Sequence, residues 1–362
     1  LSPKSEQQNN MLEIYAGDSA MKTIKENGFS PDLFSSFLAA SGGPKWFTLY
    51  GLDKYLFSEF FKDREQALNL IGSSVGAFRN ACFAQKDPIA AIGRLAKNYH
   101  ETTYTAKAKP AEVSEKALEM MDAIFGESGE QEIVDNLHFK AHIIVAKCNG
   151  FVAYENKFIQ GLGLAKSYVN NRISRPRLNS QYERYIFQSS HSNLELSDPD
   201  NIPTSRLPFS TGNIRNALLA SGSIPLVMRG ISDIENSPKG MYRDGGIVDY
   251  HFDFEIKNPG LTLYPHFSSS LKAGWFDKSL TRKVRLKNYD NTVLICPSAK
   301  FIDALPHHKI PDRNDFVTMS RKQRMWYWQK VMNDSEKLAE SFDQIYKNQQ
   351  LNHIKSINQL LA

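Results

Sequence analysis

Apolar positions along the chain fall into short runs, each closed by a glycine-bearing turn and followed by a stripe of helical spacing. Leu33 to Ala40 (LFSSFLAA) is an apolar run of strand length, ended by Ser41-Gly42-Gly43-Pro44. From Lys45 to Phe61 the apolar residues sit at 46, 49, 50, 52, 56, 57 and 60, close to a helical period. Pro44 suits the first turn of that helix, where a missing N–H costs nothing. The order then repeats: Ala67 to Ile71 (ALNLI) predicts a strand, Gly72 to Gly76 a turn, and Val75 to Gln85 a buried helix. Two successive strand–turn–helix units predict an α/β fold with a parallel sheet.

Further along, 110–137 reads as amphipathic helix and Phe139 to Cys148 as a strand. Residues 150–204 are polar and mixed, and read as an insertion or a lid. Asn213 to Leu219 predicts a helix ending near Gly222, while Gly260 to Tyr264 and Thr292 to Cys296 predict short strands. A long helical pattern runs from Asp315 to Asn348, and 349–362 predicts one more helix. The resulting division is a polar N-terminal segment (1–30), a main α/β unit (31–300), and a helical C-terminal extension (301–362) packed on that same unit.

Composition narrows this picture only modestly. A 362-residue chain that is 41% apolar supports a sizeable core. A net charge of +5, with acids interleaved throughout, does not imply a nucleic-acid partner. Cys82, Cys148 and Cys296 stand far apart in apolar runs and read as buried thiols of a reducing compartment. No metal-ligand spacing occurs, so neither metal nor cofactor is expected. The polar start lacks an apolar signal core, and Leu1 is not a start residue. The first ten residues read as an appended tail, with Met11 as the natural start. No apolar run has membrane-spanning length.

Three places could carry chemistry. Gly72-Ser73-Ser74-Val75-Gly76 is a G-x-S-x-G pattern between strand and helix. By itself the pentapeptide is weak, and a plain Gly/Ser turn is the alternative. Its context fits a nucleophile elbow, in which small neighbours allow a sharp turn that exposes the serine oxygen at a helix N-terminus. Gly42 and Gly43 could aim N–H groups at a developing oxyanion, with Lys45 as a further donor because Pro44 has none. The same loop could instead be an ordinary connection or a phosphate cradle, although the P-loop spacing is absent. Asp244-Gly245-Gly246 is either a simple turn or a carboxylate held to take the Ser74 proton.

Taken together, these blocks resemble the patatin-like phospholipases, lipid acyl hydrolases of bacterial type with a Ser-Asp dyad. Gly42-Gly43-Pro44-Lys45 resembles the family's oxyanion-hole motif and Gly72–Gly76 its nucleophile elbow. Ala220-Ser221-Gly222-Ser223-Ile224-Pro225 resembles its Ala-Ser-x-x-x-Pro block, and Asp244-Gly245-Gly246 its Asp-Gly-Gly motif. The four occur in the family's order over about three fifths of the chain. The resemblance implies a three-layer α/β/α sandwich with a mostly parallel sheet. It also implies Ser74 as nucleophile, Asp244 as general base, and an oxyanion hole from Gly42, Gly43 and Lys45. The implied substrate is a phospholipid or lysophospholipid met transiently at a membrane surface from the cytoplasm. Two departures stand out: Ser41 where the family often has Gly, and Trp46 where Gly is usual, so that Trp46 must enter the core or the acyl site. The Asn-x-Pro often found after the aspartate is replaced by Ile247-Val248-Asp249-Tyr250-His251.

Other readings share parts of this pattern. An acyltransferase would use the same dyad with an alcohol in place of water, and an idle lipid-binding scaffold would keep the fold alone. A Ser-Asp-His triad is possible in order, since His251, His266, His307, His308 and His353 follow Ser74. The paired glycines around Asp244 fit the dyad better, leaving His251 as a surface or half-buried residue and His307-His308 as solvated loop. In Met319–Lys330 (MSRKQRMWYWQK), Arg321, Lys322, Arg324 and Lys330 flank Trp326, Tyr327 and Trp328. That mixture suits either a lipid interface or aromatics packed inward with charges facing water.

Overall fold

The computed structural model describes residues 11–361, so the N-terminal tail lies outside the described residues. Its strands are β1 (Leu12–Ala16), β2 (Phe34–Ala39), β3 (Leu68–Ser73), β4 (Phe139–Cys148), β5 (Tyr182–Gln188), β6 (Leu196–Ser197), β7 (Thr204–Pro208), β8 (Ile231–Ser232), β9 (Met241–Asp244), β10 (Glu255–Ile256), β11 (Leu261–Pro265), β12 (Thr292–Pro297) and β13 (Ile354–Ser356). Eleven form one mixed, mostly parallel sheet in the order β13-β1-β12-β11-β2-β3-β4-β5-β7, with β9 also on β4 and β8 on β9. β6 and β10 make a separate two-stranded ladder. Helices flank the sheet, giving the expected α/β sandwich.

β3 is central and every residue of it is buried. A parallel strand covered on both faces needs a continuous apolar run, which is why ALNLI does not alternate. The helix that follows, Val75–Phe83, is likewise buried along its whole length and packs on β2, β3 and β4. The helical run after Gly42 is less regular than its spacing predicts. It begins as a 3₁₀ turn (Gly43–Leu49), becomes α-helical (Tyr50–Tyr55) and widens to a π turn (Leu56–Phe60). Trp46 is fully buried in the core beside Phe47, with ring centres 4.9 Å apart.

Long-range pairing and local capping together correct four sequence expectations. Within the polar N-terminal segment, residues 11–30 contribute a buried strand to the sheet: β1 pairs antiparallel with β12, placing Leu12 opposite Pro297. Residues 150–204 do not stand apart as a lid. They supply the helix Lys157–Ile173, the strand β5 that pairs with β4 along its length, and the edge strand β7. Their polar pattern follows from the mostly exposed edge strand and the half-exposed helix. The long C-terminal helix is divided into Asp315–Thr318, Arg321–Asp334 and Glu336–Lys347. Ser320 restarts it with a capping box, its hydroxyl accepting from the Gln323 N–H while Gln323 accepts from the Ser320 N–H. Ser335 marks the second join and accepts the Gly51 N–H at 2.8 Å. The final segment is not simply helical either, because β13 adds in parallel beside β1 before the short helix Asn358–Leu361.

Candidate active site

One strand brings together residues that are 170 positions apart in the chain. Along β4, Ile144 pairs with Ser73 of β3, and the next residue, Val145, pairs with Asp244 of β9. β9 takes over the same side of β4 where β3 ends. Ser74, one residue beyond the end of β3, therefore meets Asp244 at the end of β9. The Ser74 hydroxyl donates to Asp244 Oδ2 at 3.0 Å, and the other carboxylate oxygen accepts the Gly246 N–H at 2.7 Å.

The elbow is strained and tightly fitted. Ser74 has φ 53° and ψ −132°, a backbone region that L-residues rarely adopt. A Cβ on Gly76 would overlap the Ala39 carbonyl oxygen, and one on Gly72 would lie 2.7 Å from the Gly76 backbone. Both glycines therefore permit the helix to cross directly over the strand ends. The Ser74 N–H donates to Ser221 Oγ at 2.9 Å, and that hydroxyl donates to the Ile144 carbonyl at 2.7 Å. Ser221 thus fixes the elbow to the same strand that registers Asp244. The Asp244 N–H in turn donates to the Ser223 carbonyl at 3.1 Å. Gly245 packs its α-carbon so close to the Ile144 carbonyl that a side chain would not fit.

The residues after Gly246 hold the remaining loops. The Tyr250 carbonyl accepts the Ser41 N–H at 3.0 Å, and the Asp249 carbonyl accepts the Ser73 hydroxyl at 2.6 Å. The Ser41 and Ser73 hydroxyls are 2.7 Å apart. Ser41, a departure from the family motif, joins the glycine loop to the elbow. Arg79 on the elbow helix pairs with Asp53 through Nε (2.8 Å) and Nη2 (2.6 Å), both fully buried, and so ties that helix to Tyr50–Tyr55 beyond the glycine loop.

Two cavities meet at this point, and Ser74, Ile224 and Arg313 line both. The smaller, about 290 Å³, is polar and holds Asp244, Gly246, Gly42, Lys45, Lys278 and Arg313. The larger, about 760 Å³, is mainly apolar, with Val75, Phe78, Leu95, Val113, Met228 and Phe316 in its wall. Burial raises the Asp244 carboxyl above its ordinary pKa. Arg313, the Gly246 N–H, Ser74 and Lys278 act against that rise. Burial lowers Lys45, with nearby Arg313 adding to the effect and Asp312 opposing it.

The chain matches none of the protein-family models and none of the curated proteins to which it was compared. The expected residues divide into three groups, with Ser74 at the junction of the two cavities. Ser74, Asp244, Gly42, Lys45 and Gly246 face the polar cavity, whereas Gly43 faces the apolar one. Gly72, Gly76 and Gly245 permit close packing and face neither cavity. Among the described residues no histidine lines either cavity. His251 is more enclosed than the surface or half-buried residue expected. It is buried, its Nδ1 accepts the Lys272 N–H at 3.0 Å, and its ring stacks on Tyr250. The aromatic cluster of the C-terminal helix divides as well: Tyr327 and Trp328 are buried, and Trp326 is exposed.

Lys278, Arg313 and Tyr250 complete the polar wall, and no motif marks them in the sequence. Lys278 ends a plain WFDK, and Arg313 lies in a loop before the C-terminal helices. Ser221 belongs to the Ala-Ser-x-x-x-Pro block, but only the fold shows what its hydroxyl holds.

Proposed function

We propose that this chain is a serine acyl hydrolase of the patatin-like type, cleaving fatty acyl esters of phospholipids or lysophospholipids. The observation that carries the reading is the Ser74–Asp244 hydrogen bond at the junction of a polar and an apolar cavity. Asp244 takes the hydroxyl proton as Ser74 Oγ attacks the ester carbonyl. Gly42 and Gly43, on either side of that junction, supply N–H groups toward the oxyanion, as does the N-terminus of Val75–Phe83. The alcohol leaves with the proton that Asp244 held. Asp244 then takes a proton from a water whose oxygen attacks the acyl carbon, and returns that proton to Ser74 Oγ as the bond to the acyl group breaks and the fatty acid leaves.

The apolar cavity is wide enough to take an acyl chain, and its rim favours a lipid surface. Leu226, Val227 and Val317 line it and are exposed. The Leu226 N–H donates to Gln160 Oε1 at 2.7 Å, joining this rim to the helix Lys157–Ile173. That helix exposes Phe158, Leu162, Val169 and Ile173 at helical spacing, a stripe suited to the interfacial region of a bilayer. Among the described residues no helix is long and apolar enough to cross a membrane, so contact would be peripheral.

The test is fatty acid release from phospholipid vesicles by wild type, Ser74→Ala and Asp244→Asn, with folding checked by circular dichroism. Loss of about 10³-fold or more in both variants is expected of a coupled nucleophile and base. Full activity in Asp244→Asn would remove the dyad reading. Silence of the wild type on every ester, together with no labelling of Ser74 by a fluorophosphonate, would remove the hydrolase reading.

A further inference from the structure

The polar cavity holds more positive charge than a Ser-Asp dyad needs. Lys45, Lys278 and Arg313 reach it from three separate segments. Among the described residues none of the three forms an ion pair with a carboxylate, whereas the buried Arg175 and Arg184 do. The Lys278 ammonium lies 4.0 Å from the centre of the Tyr250 ring, and that of Lys45 lies 5.2 Å from the Phe267 ring. The two acids in the wall are already engaged. Asp244 accepts from Ser74 and Gly246. Asp312 is held by Lys309 at 2.8 Å and by the Asn314 N–H at 2.7 Å.

Lys45 is half-buried while Lys278 and Arg313 stand exposed at the mouth of the cavity, so an anion entering it meets all three and relieves the repulsion that solvent leaves between them. The apolar cavity, on the other side of Ser74, has no comparable cluster, with Lys116 and the shared Arg313 as its basic residues. An ester whose carbonyl sits at Ser74 therefore has its chain on the apolar side and its alcohol on the cationic side.

We infer that the polar cavity is an anion subsite formed by Lys45, Lys278 and Arg313, which selects acyl esters whose alcohol carries a net negative group such as a phosphate monoester. The inference rests on the hydrolase reading for its placement of the ester, and it adds the class of head group. Zwitterionic and neutral alcohols bring no net negative charge to the three cations.

Binding to Ser74→Ala separates this inference from catalysis. Calorimetry would compare mono-oleoyl glycerol phosphate, mono-oleoyl glycerophosphocholine and mono-oleoyl glycerol, each below its aggregation concentration. The phosphate ester should bind about tenfold or more tightly than the other two, and the preference should shrink as salt rises. Inorganic phosphate should weaken binding of the anionic ester and leave the neutral one unaffected. Lys278→Gln with Arg313→Gln, in the same background and checked for folding, should bring the three affinities together. Equal affinities in Ser74→Ala would overturn the inference. So would binding of inorganic phosphate with no gain for the anionic lipid, which would mark the cavity as a site for free anions. Preference without turnover by the wild-type chain would uphold the subsite and remove the hydrolase reading, and turnover without preference would do the reverse.

Discussion

Asp244 combines two demands that oppose each other. In the proposed hydrolase it must be ionised to accept the Ser74 proton, yet its burial favours the neutral acid. Hydrolysis should therefore rise with pH through a midpoint above the ordinary aspartate value of roughly 4, because protonation below that midpoint removes the acceptor. A pH–rate profile with its acid limb at or below that value would contradict the burial argument. Ser221 acts through Ser74 and is a positioning residue. Ser221→Ala leaves the Ser74 N–H and the Ile144 carbonyl without this partner inside the protein. The expected cost is about 1–3 kcal/mol in urea denaturation, with a smaller loss of activity than Ser74→Ala.

Glycines separate packing from flexibility at the level of elements. At Gly76 an added methyl meets the Ala39 carbonyl, a backbone atom that cannot swing aside. Gly76→Ala should destabilise by about 3 kcal/mol or more, or prevent accumulation of folded protein. Gly161 gives the contrast. It lies inside the helix Lys157–Ile173, and an added methyl there would have no neighbour within 4 Å, so Gly161→Ala should stabilise by up to about 1 kcal/mol. Thermal denaturation of the two variants reads both effects, and similar shifts would show that close crossing of helix and strand is not what the elbow requires. Helices elsewhere end for local reasons, as at Ser320, or for tertiary ones, as at Ser335, where the chain must meet Gly51.

For the whole molecule, buried charge is the controlling feature. Arg184 reaches both oxygens of Asp249, at 2.6 and 2.8 Å, and also Asp198, while Arg175 pairs with Asp200. This network anchors the segment whose carbonyls hold Ser41 and Ser73. Three buried imidazoles set the response to acid. Burial holds His142 and His266 down near about 3, and His251 well below its usual range. The unfolded chain takes up protons on them from roughly pH 6.5, while the folded chain resists until much lower pH. Stability should thus be full above that value and fall as pH drops toward about 3. Raised carboxyls such as Asp244 and Asp253 act in the opposite sense. His142→Gln isolates the imidazole effect: the slope of stability against pH should flatten in denaturant titrations, and an unchanged slope would count against it.

Local spacing was enough to read the strand–turn–helix units, the buried elbow helix and β4. An apolar run with a glycine turn encodes its own backbone path, because sterics act over a few residues. Contacts across the chain leave no such period. Nothing near Met11 says that β1 completes the sheet beside β13, and the polar pattern of 150–204 hides a strand pairing with β4. His251 looks polar in sequence and is buried because neighbouring rings close over it. The meeting of Ser74 with Asp244 depends on two strands sharing one side of β4, and the gathering of Lys45, Lys278 and Arg313 depends on three segments closing on one cavity. Residue chemistry is written locally, whereas the distance between residues far apart in the chain is set only when the sheet assembles.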